Sequence, residues 1–469
     1  MLHIWHHCFT FYSIIHKRDP TMYTLLRIPS PATFRRSFWP SNMIVNPSMF
    51  NVIQLGIGFF FIFFAFNAQS FIEEPVVGKY DGYTSLAIIY FSFTASNLIA
   101  APIVAFLKAR WSMVFGAATY ALFQMGLLFL NTPYLLISSA ILGLGAAVIW
   151  TAQGKYLTLN STEGTASKNS GVFWAISQAC IIAGGVFLFV VLRGKDTYDN
   201  TTIRVLYGVF TVVTVCGTVI LALLRMPLAN ATSDSEMLEE DIPLNFKQAL
   251  VSTIKLVATK RVLVMVMVFA YTGVELAFWS SIYANTINNT KRLGMNTKTL
   301  TALNALALGF GQAISGFLFG ILSSKTSKLG RERIVLLGAV IHMIVYIAVY
   351  INFPVKAPLG ETDEKGIIEP NVVLALICGF LLGFGDACWN TQIFSFLITK
   401  YSSKSAQAFS IFKFFQSLVT CIIFFCSRVL NLHWHLLILV IGVLVGSVCF
   451  CIAERMPSDD EDSEVSHTD

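Results

Sequence analysis

The sequence predicts an all-α membrane protein of about twelve transmembrane helices arranged as two six-helix halves. Three observations predict it. Hydrophobic residues make up 55% of the 469 and charged residues only 12%, with a mean hydropathy of +0.68; that is more apolar surface than a water-soluble domain can hide. The apolar residues come in runs near the roughly 20 residues that cross a bilayer as a helix. Those runs are continuous, as from Phe59 to Phe66, rather than alternating, which excludes a β-barrel. Lipid offers backbone groups no partner outside the helix itself, so runs of this kind must be helical.

Residues 1–42 come first and hold four of the eight histidines but no run long enough to span. They lack the basic start and short apolar core of a signal peptide, so they are expected to form a disordered leader, with Met43 an alternative start. The spans then fall at about 49–72, 83–107, 112–130, 134–158, 170–192 and 203–224 in the first half. The second half continues with about 261–287, 299–322, 334–352, 371–399, 407–428 and 432–453. The domain division is therefore 43–224, a central segment 225–260, 261–457, and an acidic tail 458–469.

The central segment opens acidic (Ser233 to Asp241) and then turns amphipathic, with Phe246, Leu250, Ile254 and Val257 at helical spacing. It is expected to lie as a short helix on the membrane interface. The tail residues Asp459 to Glu464 read most simply as a solvated terminus. Orientation follows from basic residues: sixteen Lys and Arg fall in the connections that are inside if both termini are cytoplasmic, against ten in the others.

The charge and motif content excludes several functions. The net charge of +6 is scattered over short loops, with no basic block suited to nucleic acid. No Gly-Lys-Ser/Thr phosphate loop occurs. No Cys/His pair has metal-ligand spacing, and no cofactor is implied. Of nine cysteines, eight lie in apolar runs and Cys8 in the leader, so no disulfide framework is expected.

An internal duplication sharpens the architecture. Gly143-Leu144-Gly145 and Trp150-Thr151-Ala152-Gln153 in the fourth span return as Gly383-Phe384-Gly385 and Trp389-Asn390-Thr391-Gln392 in the tenth, with a one-residue gap. The eighth and ninth spans are joined by a basic turn at Gly330-Arg331, whose counterpart Lys108-Ala109-Arg110-Trp111 is degenerate. That turn and the duplicated halves resemble the major facilitator superfamily. Longer strings, including Gly82 to Tyr90, Ala95 to Leu98, Trp150 to Gly154, Asn169 to Ala175, Gly383 to Asp386 and Ile411 to Phe414, resemble its UNC-93-like branch over roughly residues 45–455. The resemblance implies the fold firmly. It implies activity only loosely, since that branch includes a channel regulatory subunit and an escort for immune receptors.

Three ionisable residues lie away from span ends: Glu275 in the seventh, Asp386 in the tenth and Lys413 in the eleventh. Such residues are costly in lipid and are functional candidates by default. The resemblance places the first and fourth helices of each half around a central cavity and the second and fifth at its gating sides. It therefore implies that Glu275 and Asp386 face the cavity and that Lys413 belongs to a gate. Asn390 stands four residues from Asp386, and Gln416 and Ser417 share the face of Lys413. In the first half Asn97, Trp150, Gln153, Trp174 and Gln178 are candidates for a cavity wall, although such groups equally make interhelical hydrogen bonds.

Two functions stay open: a secondary transporter of a small polar or cationic solute, or a non-transporting accessory protein with a membrane-protein partner. Lys413 either snorkels to the headgroups or faces inward, toward a carboxylate of the tenth span or of the lower cavity. The sequons at Asn200 and Asn288 fall outside under this topology and are glycosylation candidates; those at Asn160 and Asn230 fall inside and are expected to stay bare.

Overall fold

A computed structural model describes residues 47–70, 79–128, 131–192, 200–225, 246–294, 297–321 and 330–457. The chain divides into a unit Met1–Phe50, described only at Pro47–Phe50, and a unit Asn51–Asp469, which holds the core and the candidate site. The leader, the acidic opening of the central segment, Asn230, Lys325, Lys328 and the acidic tail lie outside the described residues.

The first half contains α1 (Pro47–Ser70), α2 (Lys79–Gly126), α3 (Thr132–Leu159), α4 (Ala166–Leu192) and α5 (Asn200–Ala222). Eleven helices among the described residues are long and apolar enough to cross a membrane. One of them, within α2, runs for 43 residues, about 65 Å at the helical rise and twice the roughly 30 Å hydrocarbon core. The helix breaks at Lys108, whose φ of 62° and ψ of 157° are non-helical. Its arms, 79–107 and 109–126, are the second and third spans, which makes twelve crossings. The turn is a single residue where the sequence suggested a short loop.

The central helix α6 (Phe246–Val257) leads to the second half: α7 (Lys260–Ala277), α8 (Tyr283–Asn289), α9 (Thr297–Ile321), α10 (Arg331–Asn352), α11 (Val372–Lys400), α12 (Ser405–Cys426) and α13 (Leu432–Arg455). The seventh span comprises α7 and α8 joined by a π turn, Phe278–Ile282. Asparagine starts three helices in the same way: Asn131, Asn371 and Asn431 accept the backbone N–H of Tyr134, Leu374 and Trp434 at 3.1, 3.0 and 3.4 Å. Each satisfies one of the donors that a helix start leaves without a partner.

Burial follows helical spacing. In α1 the buried face runs Val52, Leu55, Phe59 and Ile62, while Phe91, Phe106, Phe425 and Val448 are exposed, as suits a lipid-facing surface. Within the second half, a Cβ at Gly383 would lie 2.1 Å from the Leu308 carbonyl oxygen, so only glycine lets α9 and α11 cross there. Between the halves, Gly171 of α4 meets Gly316 and Gly320 of α9 backbone to backbone.

The two ends of the second half are tied by charge. Arg331 at the start of α10 pairs with Glu454 of α13, with Nε donating at 3.0 Å, and its Nη1 donates to Thr399 Oγ1 at 2.6 Å. Arg455 returns the pairing to Glu332 at 2.9 Å. At the other end, residues 353–371 form an ordered loop. Lys291 N–H donates to the Thr362 carbonyl at 3.1 Å, and Lys291 and Arg292 pair with Glu361 and Glu369, each at 2.9 Å. The Lys291 ammonium holds the Glu361 carboxyl below its usual range.

The expected amphipathic helix is present as α6, but its buried face is Ala249, Thr253 and Leu256. Phe246 and Ile254 of the expected apolar stripe are 48% and 63% exposed. The sequon residue Asn160 is buried and accepts from Asn51 Nδ2 at 2.8 Å. Asn288 is exposed at the end of α8, and Asn200 opens α5.

Candidate functional site

The polar centre grows from four helices of the second half. On α7, Tyr271 and Glu275 are one turn apart, and the π turn follows at once and carries Trp279. A π turn widens the helix by one residue, and such turns are frequent at functional sites. On α11, Asp386 and Asn390 share a face. The Asn390 amide donates to Asp386 Oδ1 at 2.8 Å, and Gln312 of α9 donates to Oδ2 at 2.9 Å. Both carboxyl oxygens of Asp386 are thus held by amides from different spans.

Glu275 is 1% and Asp386 3% exposed. The two carboxyls are direct neighbours, and the Trp279 indole lies beside both. On its other side Glu275 Oε1 is 3.7 Å from Nε2 of His342, a buried residue of α10. The Tyr271 hydroxyl is 2.5 Å from His342 Nδ1 and 3.0 Å from the Tyr346 hydroxyl. Polar side chains Asp386, Glu275, His342, Tyr271 and Tyr346 thus follow one another across α11, α7 and α10, although Glu275 Oε1 makes no hydrogen bond to His342, whose Nε2 lies 3.4 Å from the Leu382 carbonyl oxygen.

Lys413 of α12 is only 6% exposed. Its ammonium donates to Gln416 Oε1 at 2.8 Å, and Gln416 donates on to Thr272 of α7 at 3.2 Å. It also lies 4.7 Å from the ring centre of Trp150, in the opposite half, a cation–π distance. Asp386 is within its electrostatic reach, but the direct acceptor is an amide. The ammonium is thus held inside the protein rather than among headgroups.

Of the first-half candidates, only Trp150 and Trp174 are seen to touch the second half among the described residues, at Lys413 and Phe394. Trp150 packs on Phe59 and Phe63 at 5.3 and 5.0 Å, and Trp174 meets Phe394 edge-on at 5.5 Å. Gln153 is fully buried, and neither its amide oxygen nor its nitrogen has a hydrogen-bond partner among the described residues. The same is true of Thr151 Oγ1, the Trp174 indole N–H and Asn97 Oδ1; the Asn97 amide nitrogen bonds only to its own helix, at Phe93. Gln178 is half-buried. Buried polar groups without partners are rare in native proteins, and four first-half residues, Asn97, Thr151, Gln153 and Trp174, each carry at least one among the described residues.

Sequence reasoning missed Gln312, His342 and Tyr346 as members of the site, whereas helical spacing already puts Tyr271 and Trp279 on the face of Glu275. His342 was visible: a histidine in mid-span is an ionisable group in lipid like the other three.

Twelve crossings in duplicated halves, with a polar centre at mid-span, define a membrane protein of the major facilitator type. The crystal structure of the transporter FucP in the outward conformation superimposes with a TM-score of 0.65 at 14% identity, covering 87% of this chain and all of that one. A second structure, of a variant of the E. coli fucose:proton symporter FucP, gives 0.63 at 13% identity, covering 87% and 98%. The chain belongs to the UNC-93 family, whose model, described as ion channel regulatory protein UNC-93, matches residues 73–451. The UNC93-like protein MFSD11 of Xenopus laevis is 36% identical over 427 residues, covering 87% of this chain and 96% of the relative. Protein unc-93 homolog A of Homo sapiens is 24% identical, covering 85% and 92%.

Proposed function

We propose that the chain is a secondary transporter that moves a small polar or cationic solute by rocking its two halves around a mid-span site. The observation that carries this reading is the neighbouring buried pair Glu275 and Asp386, with the Lys413 ammonium nearby and held over Trp150 of the opposite half. Two adjacent carboxyls in a water-poor site readily share a proton. Proton coupling is therefore part of the proposal, and the solved fucose:proton symporter of the same fold is a precedent for it. We read the chain as non-enzymatic, with halves 43–224 and 261–457 joined by 225–260, and with both termini cytoplasmic. The last point is tested by a glycan at Asn288, which is attached only on the lumenal side.

The test of function is a thermal-shift screen of small amines, amino acids and polyols on the purified protein. The reading expects at least one solute to stabilise the wild type and not Glu275→Gln/Asp386→Asn. A solute that stabilises both equally binds elsewhere and removes the pair from the site.

A second reading is an accessory protein that regulates or traffics another membrane protein. The family description supports it, as does the confinement of mid-span charge to one half. Affinity purification from native membranes that recovers no stoichiometric membrane-protein partner counts against it.

A further inference from the structure

A second site lies away from the polar centre, where α6 meets the starts of α7 and α12. A cavity of about 450 Å³ there is lined by Lys247, Gln248, Val251, Ser252, Lys255, Leu256, Thr259 and Lys404. Among the described residues three lysines and no acidic residue face it, and none of the three makes an ion pair. Lining of one sign in a concave space focuses potential and favours a counter-ion.

Backbone geometry adds to the lysines. Thr259 and Lys404 are the N-caps of α7 and α12, and neither makes a side-chain cap hydrogen bond. The first intrahelical bonds reach back to these residues from Leu263 and Ala408, each at 3.0 Å, so the preceding N–H groups have no acceptor within their own helix. Two spanning helices thus present their positive ends at one lysine-lined cavity.

The third feature selects the source of the anion. Along α6, Lys247, Val251 and Lys255 share one face, and Ala249, Thr253 and Leu256 are buried against the bundle on another. A further face exposes Phe246 and Ile254, and Val251 on the cavity wall is itself 40% exposed. Because α7 and α12 enter the membrane here, the cavity lies at headgroup depth with apolar side chains beside it. We propose that this cavity binds the headgroup of a phospholipid carrying more than one phosphate charge, with its acyl chains against Phe246 and Ile254. Basic pockets between spanning helices are known to take such headgroups. The site is independent of the transport reading and stands or falls without it.

The test uses the full chain in detergent and three probes: a short-chain phosphatidylinositol bisphosphate, short-chain phosphatidylserine and soluble inositol trisphosphate. Each basic residue near such a headgroup contributes about fivefold, so Lys247→Gln/Lys255→Gln/Lys404→Gln is expected to bind the bisphosphate lipid roughly a hundredfold more weakly. Lys247→Gln and Lys404→Gln alone, on different elements, should each weaken it about fivefold, while Lys356→Gln at the other end leaves it unchanged. A melting temperature measured without lipid separates misfolding from lost binding. A triple variant that binds within twofold of wild type overturns the site. Equal affinity for phosphatidylserine overturns the multiple charge, and equal affinity for inositol trisphosphate overturns the lipid source.

Discussion

The seam between the halves is sensitive to a single methyl group. In Gly171→Ala the new Cβ would lie 2.6 Å from the Gly320 nitrogen, 2.8 Å from the Gly316 oxygen and 3.0 Å from the Phe319 carbonyl carbon. All three are backbone atoms, so no flexible side chain can give way, and α4 and α9 must part by about 0.5–1 Å. Overpacking of this kind costs roughly 1–3 kcal/mol, which shifts an equilibrium between closed and open seams by about 5–150-fold. Amide hydrogen exchange in the peptides covering 166–175 and 314–321 measures the shift directly, with exchange expected to quicken in the variant. Gly208→Ala is the control: no atom lies within 4 Å of its Cβ, and replacing a mid-helix glycine should stabilise by about 0.5–1 kcal/mol. Unchanged exchange at the seam in Gly171→Ala would refute backbone contact between the halves at this point.

Three further outcomes are expected. Tyr271→Phe removes a hydroxyl shared by His342 and Tyr346 and leaves buried polar groups unpaired, so the melting temperature should fall by the equivalent of about 1–3 kcal/mol. Lys413→Gln, which loses the cation held over Trp150, should lower surface delivery or stability more than Lys400→Gln at the end of α11; equal behaviour would make Lys413 a bystander. The Lys291 ammonium lowers the Glu361 carboxyl, so this ion pair is present at neutral pH and is lost as pH falls through the carboxylate range. Acidification should therefore lower the amide protection of residues 357–365, after correction for the intrinsic slowing of exchange at lower pH, more in wild type than in Glu361→Gln.

What could be read from the sequence was what lies within one helix. Apolar runs located all twelve crossings, and single-helix spacing placed Asn390 on Asp386 and Gln416 on Lys413, both now hydrogen bonds. Partners from different spans left no local pattern: nothing near Asp386 announces Gln312, and nothing near Tyr271 announces His342. The same limit hid the loop 353–371, whose order comes from pairing with 289–292 across a long separation. In α6 the periodicity found the helix but not its docked side. Small Ala249 and Thr253 pack closely against the bundle, while the larger Phe246 and Ile254 remain outside.

The central claim is that Glu275 and Asp386 work as one proton-sharing pair in a solute cycle. Uptake into proteoliposomes, of a solute found by stabilisation screening and with and without an imposed pH gradient, tests it most directly. Gradient-driven uptake by the wild type is predicted to fall at least about tenfold in Asp386→Asn and in Glu275→Gln alike, with no response to the gradient left in either. Uptake that keeps its rate and its response to the gradient in both variants would contradict the account.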